Sequence, residues 1–233
     1  MFKAKELVYI ILASAVIGYV ISFSSISWEN WAKFAVLGFA MLMINVIAKK
    51  IAAYKLGCEI EMEPWQAKRY WFYESAHIRY GIPMWVVWPI FMVWASLGLV
   101  WWLVVMTFEV YATRARVGRK FAELTEWDIA LIASAGIVTN LVVAVIFAAR
   151  GDITFAYMNL WFVFFNLIPF PAYDGGKIFF GEALFYVFIA TISLIVIFLL
   201  HITTNIPIIT VTSLLSGIMA IFVFYHVFER PLK

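Results

Sequence analysis

Apolar stretches long enough to cross a lipid bilayer recur along this chain, and no other feature restricts its fold as severely. A hydrocarbon layer about 30 Å thick takes about 20 apolar residues in a helix, and runs near that length cover residues 7–25, 32–52, 128–149, 178–200 and 206–228. A sixth run, 155–172, lies near the lower limit of about 17 residues and ends at Pro169 and Pro171. Lipid offers no hydrogen bonds to exposed backbone, so runs of this kind fold as helices. Composition agrees: 65% of the 233 residues are apolar and 13% charged, against about 45–50% and about 25% in soluble domains. A soluble fold is excluded, and the chain reads as an integral membrane protein.

The stretch 84–106 is long enough by count, but Pro89 and Gly98 interrupt it. Charge bias decides how to place it. If it dips into the membrane and returns, 15 of the 17 basic residues fall on one side, leaving only Lys33 and Arg150 opposite, as the positive-inside rule prefers. If it crosses, Lys68, Arg69 and Arg79 are separated from Arg114, Arg116, Arg119 and Lys120. The expected architecture is therefore an all-α polytopic membrane protein with six spanning helices, both termini cytoplasmic, and a re-entrant or interfacial hairpin at 84–106. Such a hairpin must be covered by protein, because its backbone cannot face lipid. No repeat or linker interrupts the chain, so 1–233 reads as a single membrane domain in a cytoplasmic-type membrane. Lys3 and Lys5 precede the first run, which is longer than the apolar core of a signal peptide and reads as an uncleaved helix.

Several features take ordinary explanations. The formal charge of +3 is too small and too dispersed to indicate nucleic acid. The single cysteine, Cys58, leaves no internal disulfide and no multi-thiolate zinc site. Trp28, Trp31, Trp65, Trp71, Trp85, Trp101, Trp102 and Trp127 fall near run ends and suit aromatic interface belts. Glu59, Glu61 and Glu63 alternate with Ile60 and Met62; a short strand fits that pattern, and a solvated acidic loop is the blander expectation. Glu182 is expected early in the 178–200 helix. His77, His201 and His226 are too scattered to form one ligand set.

One stretch carries chemistry. Asn166, Pro169, Pro171, Asp174, Gly175 and Gly176 form N-x-x-P-x-P-x-x-D-G-G at the end of the short apolar run. Proline removes a helix hydrogen bond, glycine permits turns, and an ionisable group at the edge of a membrane core is by default functional. The motif resembles that of the site-2 protease family of intramembrane zinc metalloproteases. The resemblance implies that Asp174 stands where the family has its third zinc ligand. It also implies that Asn140, Asn166, Pro169, Pro171, Gly175 and Gly176 face a cavity or substrate. Residues 134–140, ending in Asn140, are similar to the family's small-residue A-G-P-x-x-N segment, with Ile137 where proline is usual. The resemblance covers about residues 32–176; helices 7–25, 178–200 and 206–228 lie outside it.

The family's zinc-binding H-E-x-x-H helix is altered. Asn45 and Lys49 stand at the two histidine positions and Val46 at the glutamate position. A neutral amide is a poor zinc ligand, an ammonium repels a dication, and valine cannot take a proton from water. No catalytic residue, no metal ligand set and no cofactor is expected. Asn45 and Lys49 are four apart and share a helix face. A Lys49–Asp174 ion pair is one expectation for that face; a Lys49 snorkelling to the headgroups beside Lys50 and Lys55 is the other.

Three functions follow. The leading one is a catalytically inactive, site-2-protease-like membrane protein, a pseudoprotease that binds transmembrane segments or a membrane partner complex in the bilayer. The second is a metalloprotease with a non-standard metal site. The third is a small transporter or structural subunit of a membrane assembly, with Lys49 and Asp174 on a polar path.

Overall fold

The computed structural model describes residues 2–69, 77–112 and 124–229. Helices dominate: α1 (Ala4–Ser22), α2 (Trp28–Lys55), α3 (Met84–Ala95), α4 (Glu126–Ala149), α5 (Ile153–Asn166), α6 (Asp174–Gly181), α7 (Ala183–Leu200) and α8 (Ile206–Phe224). Among the described residues four short strands accompany them: β1 (Cys58–Pro64), β2 (Ala67–Arg69), β3 (His77–Ile82) and β4 (Met106–Ala112). β1 pairs with β4, and β2 pairs antiparallel with β3. Among the described residues, five helical segments are long and apolar enough to cross a membrane: Ala4–Ser25, Trp28–Lys55, Glu126–Ala149, Ala183–Leu200 and Ile206–Phe228. These make the chain a helical integral membrane protein.

Four details depart from the sequence reading. The 155–172 run yields α5, a helix of 14 residues, which at 1.5 Å per residue is about 21 Å long and short of the hydrocarbon layer. The 178–200 run is two helices, because Glu182 is extended (φ −164°, ψ 112°) and separates α6 from α7. The acidic segment after α2 is strand β1, with Cys58, Ile60 and Met62 buried on one face and Glu59 exposed on the other, the alternation of a half-buried strand. Trp65 and Trp102 are buried rather than set in an interface belt. Trp71, Arg114, Arg116, Arg119, Lys120, Arg230 and Lys233, which carry part of the orientation and belt expectations, lie outside the described residues.

The chain gathers into two compact units. The first comprises 1–43 and 61–109. Its α1 meets the start of α2 at small residues: a Cβ on Gly18 would lie 2.8 Å from the Ala35 backbone nitrogen, and one on Gly38 would lie 2.8 Å from Ile17. Glu6 is 1% exposed and is satisfied by backbone donors, accepting from Lys3 N at 2.8 Å and from Met62 N at 2.9 Å. The 84–106 segment folds back on itself. Trp85 N donates to the Trp65 carbonyl and Trp65 N to that of Val105, so both ends of the segment meet one residue. The reversal uses positive φ at Leu97 (53°) and Gly98 (86°), a region where only glycine is free of steric cost.

The second unit comprises 44–60 and 110–233. Three of its helices, α4, α5 and α8, begin at side-chain caps that satisfy otherwise orphaned N–H groups: Thr125 accepts from Asp128 N in a reciprocal box, Asp152 from Phe155 N, and Asn205 from Ile208 N. α4 packs against α5, α6 and α7. A Cβ on Gly181 would come within 2.6 Å of the Glu126 carbonyl, so that glycine is what lets α6 lie against the start of α4.

Candidate functional site

Helix α2 enters the second unit carrying Asn45 and Lys49 one turn apart on a buried face; they are 2% and 2% exposed. Asp174 opens α6 and is 3% exposed. The Lys49 ammonium donates to Asp174 Oδ1 at 2.9 Å and lies 2.7 Å from Oδ2. The Oδ2 contact is ionic, at an angle that does not make it a hydrogen bond. Lys49 is thus turned inward to a carboxylate and does not snorkel. Asp174 is the only acid in the 166–176 stretch. Its neighbour Tyr173 stays neutral, because burial pushes the phenol above its ordinary pKa.

Glycines make this contact possible. A Cβ on Gly175 would lie 2.2 Å from the Leu167 carbonyl oxygen, and one on Gly176 would lie 2.1 Å from that of Phe170. No side chain fits there, so the first turn of α6 rests directly on the backbone that Pro169 and Pro171 turn. Gly136 on α4 does the same for the cation: its missing Cβ would fall 2.5 Å from Lys49 Cε and 2.6 Å from Asn45 Nδ2. The small-residue segment of α4 therefore provides the volume that holds the two α2 side chains.

A chain of amides extends from the pair. Asn45 Nδ2 donates to Asn140 Oδ1 at 3.3 Å, Asn140 Nδ2 to Asn159 Oδ1 at 3.0 Å, and Asn159 Nδ2 to the Phe155 carbonyl at 2.8 Å. Asn140 and Asn159 are both 0% exposed. Buried amides are costly unless bonded, and here three helices, α2, α4 and α5, satisfy one another. Asn166 stands apart, donating to the Phe162 carbonyl of its own helix at 3.0 Å. Val46 is 1% exposed, and Pro169 and Pro171 are exposed at the turn. Asn159 escaped the sequence reading; a lone amide inside an apolar run was the available signal.

The metal that the resemblance implies does not fit these residues. A protonated amine 2.7 Å from the carboxylate already neutralises it and would repel a dication. Among the described residues no three His, Cys, Asp or Glu side chains gather as a metal site. His201 Nδ1 and His226 Nδ1 instead lie 2.7 and 2.9 Å from the carbonyls of Ile197 and Phe222 in their own helical turns. Chemically the site holds two opposite charges and a line of amides, all buried among the helices.

Compared with known proteins, the chain matches no protein family, no curated protein and no solved structure.

Proposed function

We propose that this protein is a catalytically inactive, site-2-protease-like membrane protein, a pseudoprotease that binds transmembrane segments or a membrane partner complex, with both termini cytoplasmic. The observation that carries the reading is the Lys49–Asp174 contact at 2.7–2.9 Å, with the two side chains 3% and 4% exposed. An ammonium stands beside the motif aspartate where an active relative would hold a divalent ion. Val46 at the general-base position supports the same reading, because hydrolysis inside a membrane requires an activated water. The small residues that hold Asn45 and Lys49 on α2 against α4 and α6 are those that a helical binding scaffold would need.

The test is to rebuild the ablated site. Purified wild-type chain is expected to carry far less than one zinc per molecule, and a variant with Asn45→His, Val46→Glu and Lys49→His is expected to take up one Co²⁺ with the absorption bands of a tetrahedral ion. A folded triple variant that binds no metal would refute the correspondence of these positions. Stoichiometric zinc in the wild-type chain, lost in Asp174→Asn, would refute the inactive reading.

A further inference from the structure

Three lysines fall in the last two turns of α2, and two of them are engaged within the protein. Lys49 meets Asp174, and Lys50 Nζ donates to the Ile60 carbonyl at 3.1 Å. Lys55, the last residue of the helix, is exposed and makes no hydrogen bond or ion pair with the described residues.

Lys55 stands at one end of a groove of about 520 Å³ between α2 and α4. Ala48 and Ala52 on α2 and Ala135 on α4 line it, and their short side chains leave the space that larger ones would fill. Ile47, Ile51 and Val138 are exposed along it, so it opens on the outer surface of the protein. Its one hydroxyl, on Thr139, donates to the Ala135 carbonyl of its own helix at 2.8 Å. The groove therefore offers an apolar length and a single charge, the ammonium at its end.

Depth says what fits. α2 has 28 residues, about 42 Å at 1.5 Å per residue, which matches a bilayer about 40–45 Å thick with its headgroups. Its last residue, Lys55, accordingly falls in a headgroup layer. Ile44, at the far end of the groove along α2, lies about 16 Å from Lys55, close to half of a hydrocarbon core about 30 Å thick. The groove spans one leaflet. A transmembrane helix would run on through the second leaflet, whereas the acyl chain of a phospholipid ends near the midplane. Charge then selects the headgroup, because an ammonium in that layer attracts lipids of net negative charge.

We propose that this groove holds one anionic phospholipid, with an acyl chain along Ala48, Ala52 and Ala135 and the phosphate on the Lys55 ammonium. No bond is made or broken. The site does not depend on the functional reading of Lys49 and Asp174.

The experiment titrates the purified full chain in detergent with dioleoyl phosphatidylglycerol and dioleoyl phosphatidylcholine, which share their chains and differ in net charge, and counts retained lipids by native mass spectrometry. One phosphatidylglycerol per chain is expected, held about three- to tenfold more tightly than phosphatidylcholine, the value of one lysine at an anionic surface. Lys55→Gln should bring phosphatidylglycerol down to the level of phosphatidylcholine and leave the latter unchanged, and Lys55→Arg should keep the preference. Lys5→Gln, which removes another exposed lysine outside the groove, should change neither lipid. Ala52→Phe should weaken both by filling the space. Equal binding of the two lipids overturns the proposal, as does a preference that survives Lys55→Gln or that Lys5→Gln removes equally. A wild-type chain that retains no lipid overturns it too, and a dimer lost in Ala52→Phe would then assign the groove to a helix of a second copy. Lys55 is exposed, so its variants test the charge even if Ala52→Phe does not fold.

Discussion

The two units each contain a lysine–carboxylate pair at the same 2.7 Å separation, and the pairs differ in everything else. In the first unit Lys3 reaches Glu61 with side chains 62% and 22% exposed; in the second Lys49 reaches Asp174 with side chains 3% and 4% exposed. Water solvates the first pair when it opens, so forming it gains about 0–1 kcal/mol. The second pair has no such alternative, and losing one partner leaves a bare charge in the interior. The first unit also shows a different treatment of a buried acid. Glu6 accepts from two backbone N–H groups, whereas Asp174 sits beside an ammonium. Distance alone therefore says little about what a pair is worth; the surroundings left behind on breaking it decide.

The sharpest way to break the comparison is Lys49→Met, which should destabilise the protein by about 3–5 kcal/mol, the cost of an uncompensated buried charge. Unfolding in detergent, followed by denaturant titration, reads this directly. The double replacement Lys49→Met with Asp174→Leu should recover most of the loss, since an apolar pair of similar volume is often neutral or better. A double variant that loses the sum of the Lys49→Met and Asp174→Leu single losses would mean that the two charges are not coupled.

Gly136→Ala is the next largest. Its new Cβ would fall 2.5 Å from Lys49 Cε, and overpacking of this kind costs about 1–3 kcal/mol. In a Lys49→Ala background the penalty should shrink in part, because one of its two collisions is gone while that with Asn45 Nδ2 at 2.6 Å remains. An unchanged penalty in that background would place the strain elsewhere.

The smallest effect belongs to the first unit. Glu61→Gln should change stability by less than about 1 kcal/mol and lose that effect in high salt, as exposed pairs do. A loss comparable to that of Lys49→Met would collapse the distinction between the two regions.

The pairing of Lys49 with Asp174 was partly legible before any coordinates. A spacing of four puts Asn45 and Lys49 on one helix face, and the proline–glycine motif marks the aspartate. Asn159, which completes the amide chain, was not legible, because nothing local tells a lone intramembrane amide which helix it will face. The break at Glu182 had a local sign, since Gly181 and Glu182 interrupt the 178–200 run, but the run's overall hydrophobic length outweighed it; in the fold, Gly181 lies against the Glu126 carbonyl at that break. β1 was half legible: its alternation showed, but that pattern alone could not supply the partner strand β4, nearly fifty residues later.

Hydrophobic length is a local property, so the order of residues was enough to set the membrane class, the long helices and the chain reversal between Pro89 and the following strand. It was also enough to put a cation and an anion where they could meet. Which polar groups find partners depends on atoms brought together from distant parts of the chain. Only the tertiary structure decided that Lys49 turns inward through the space left by Gly136, that three asparagines bond in line, and that one of the five buried serines among the described residues, Ser193, has a hydroxyl without a hydrogen-bond partner.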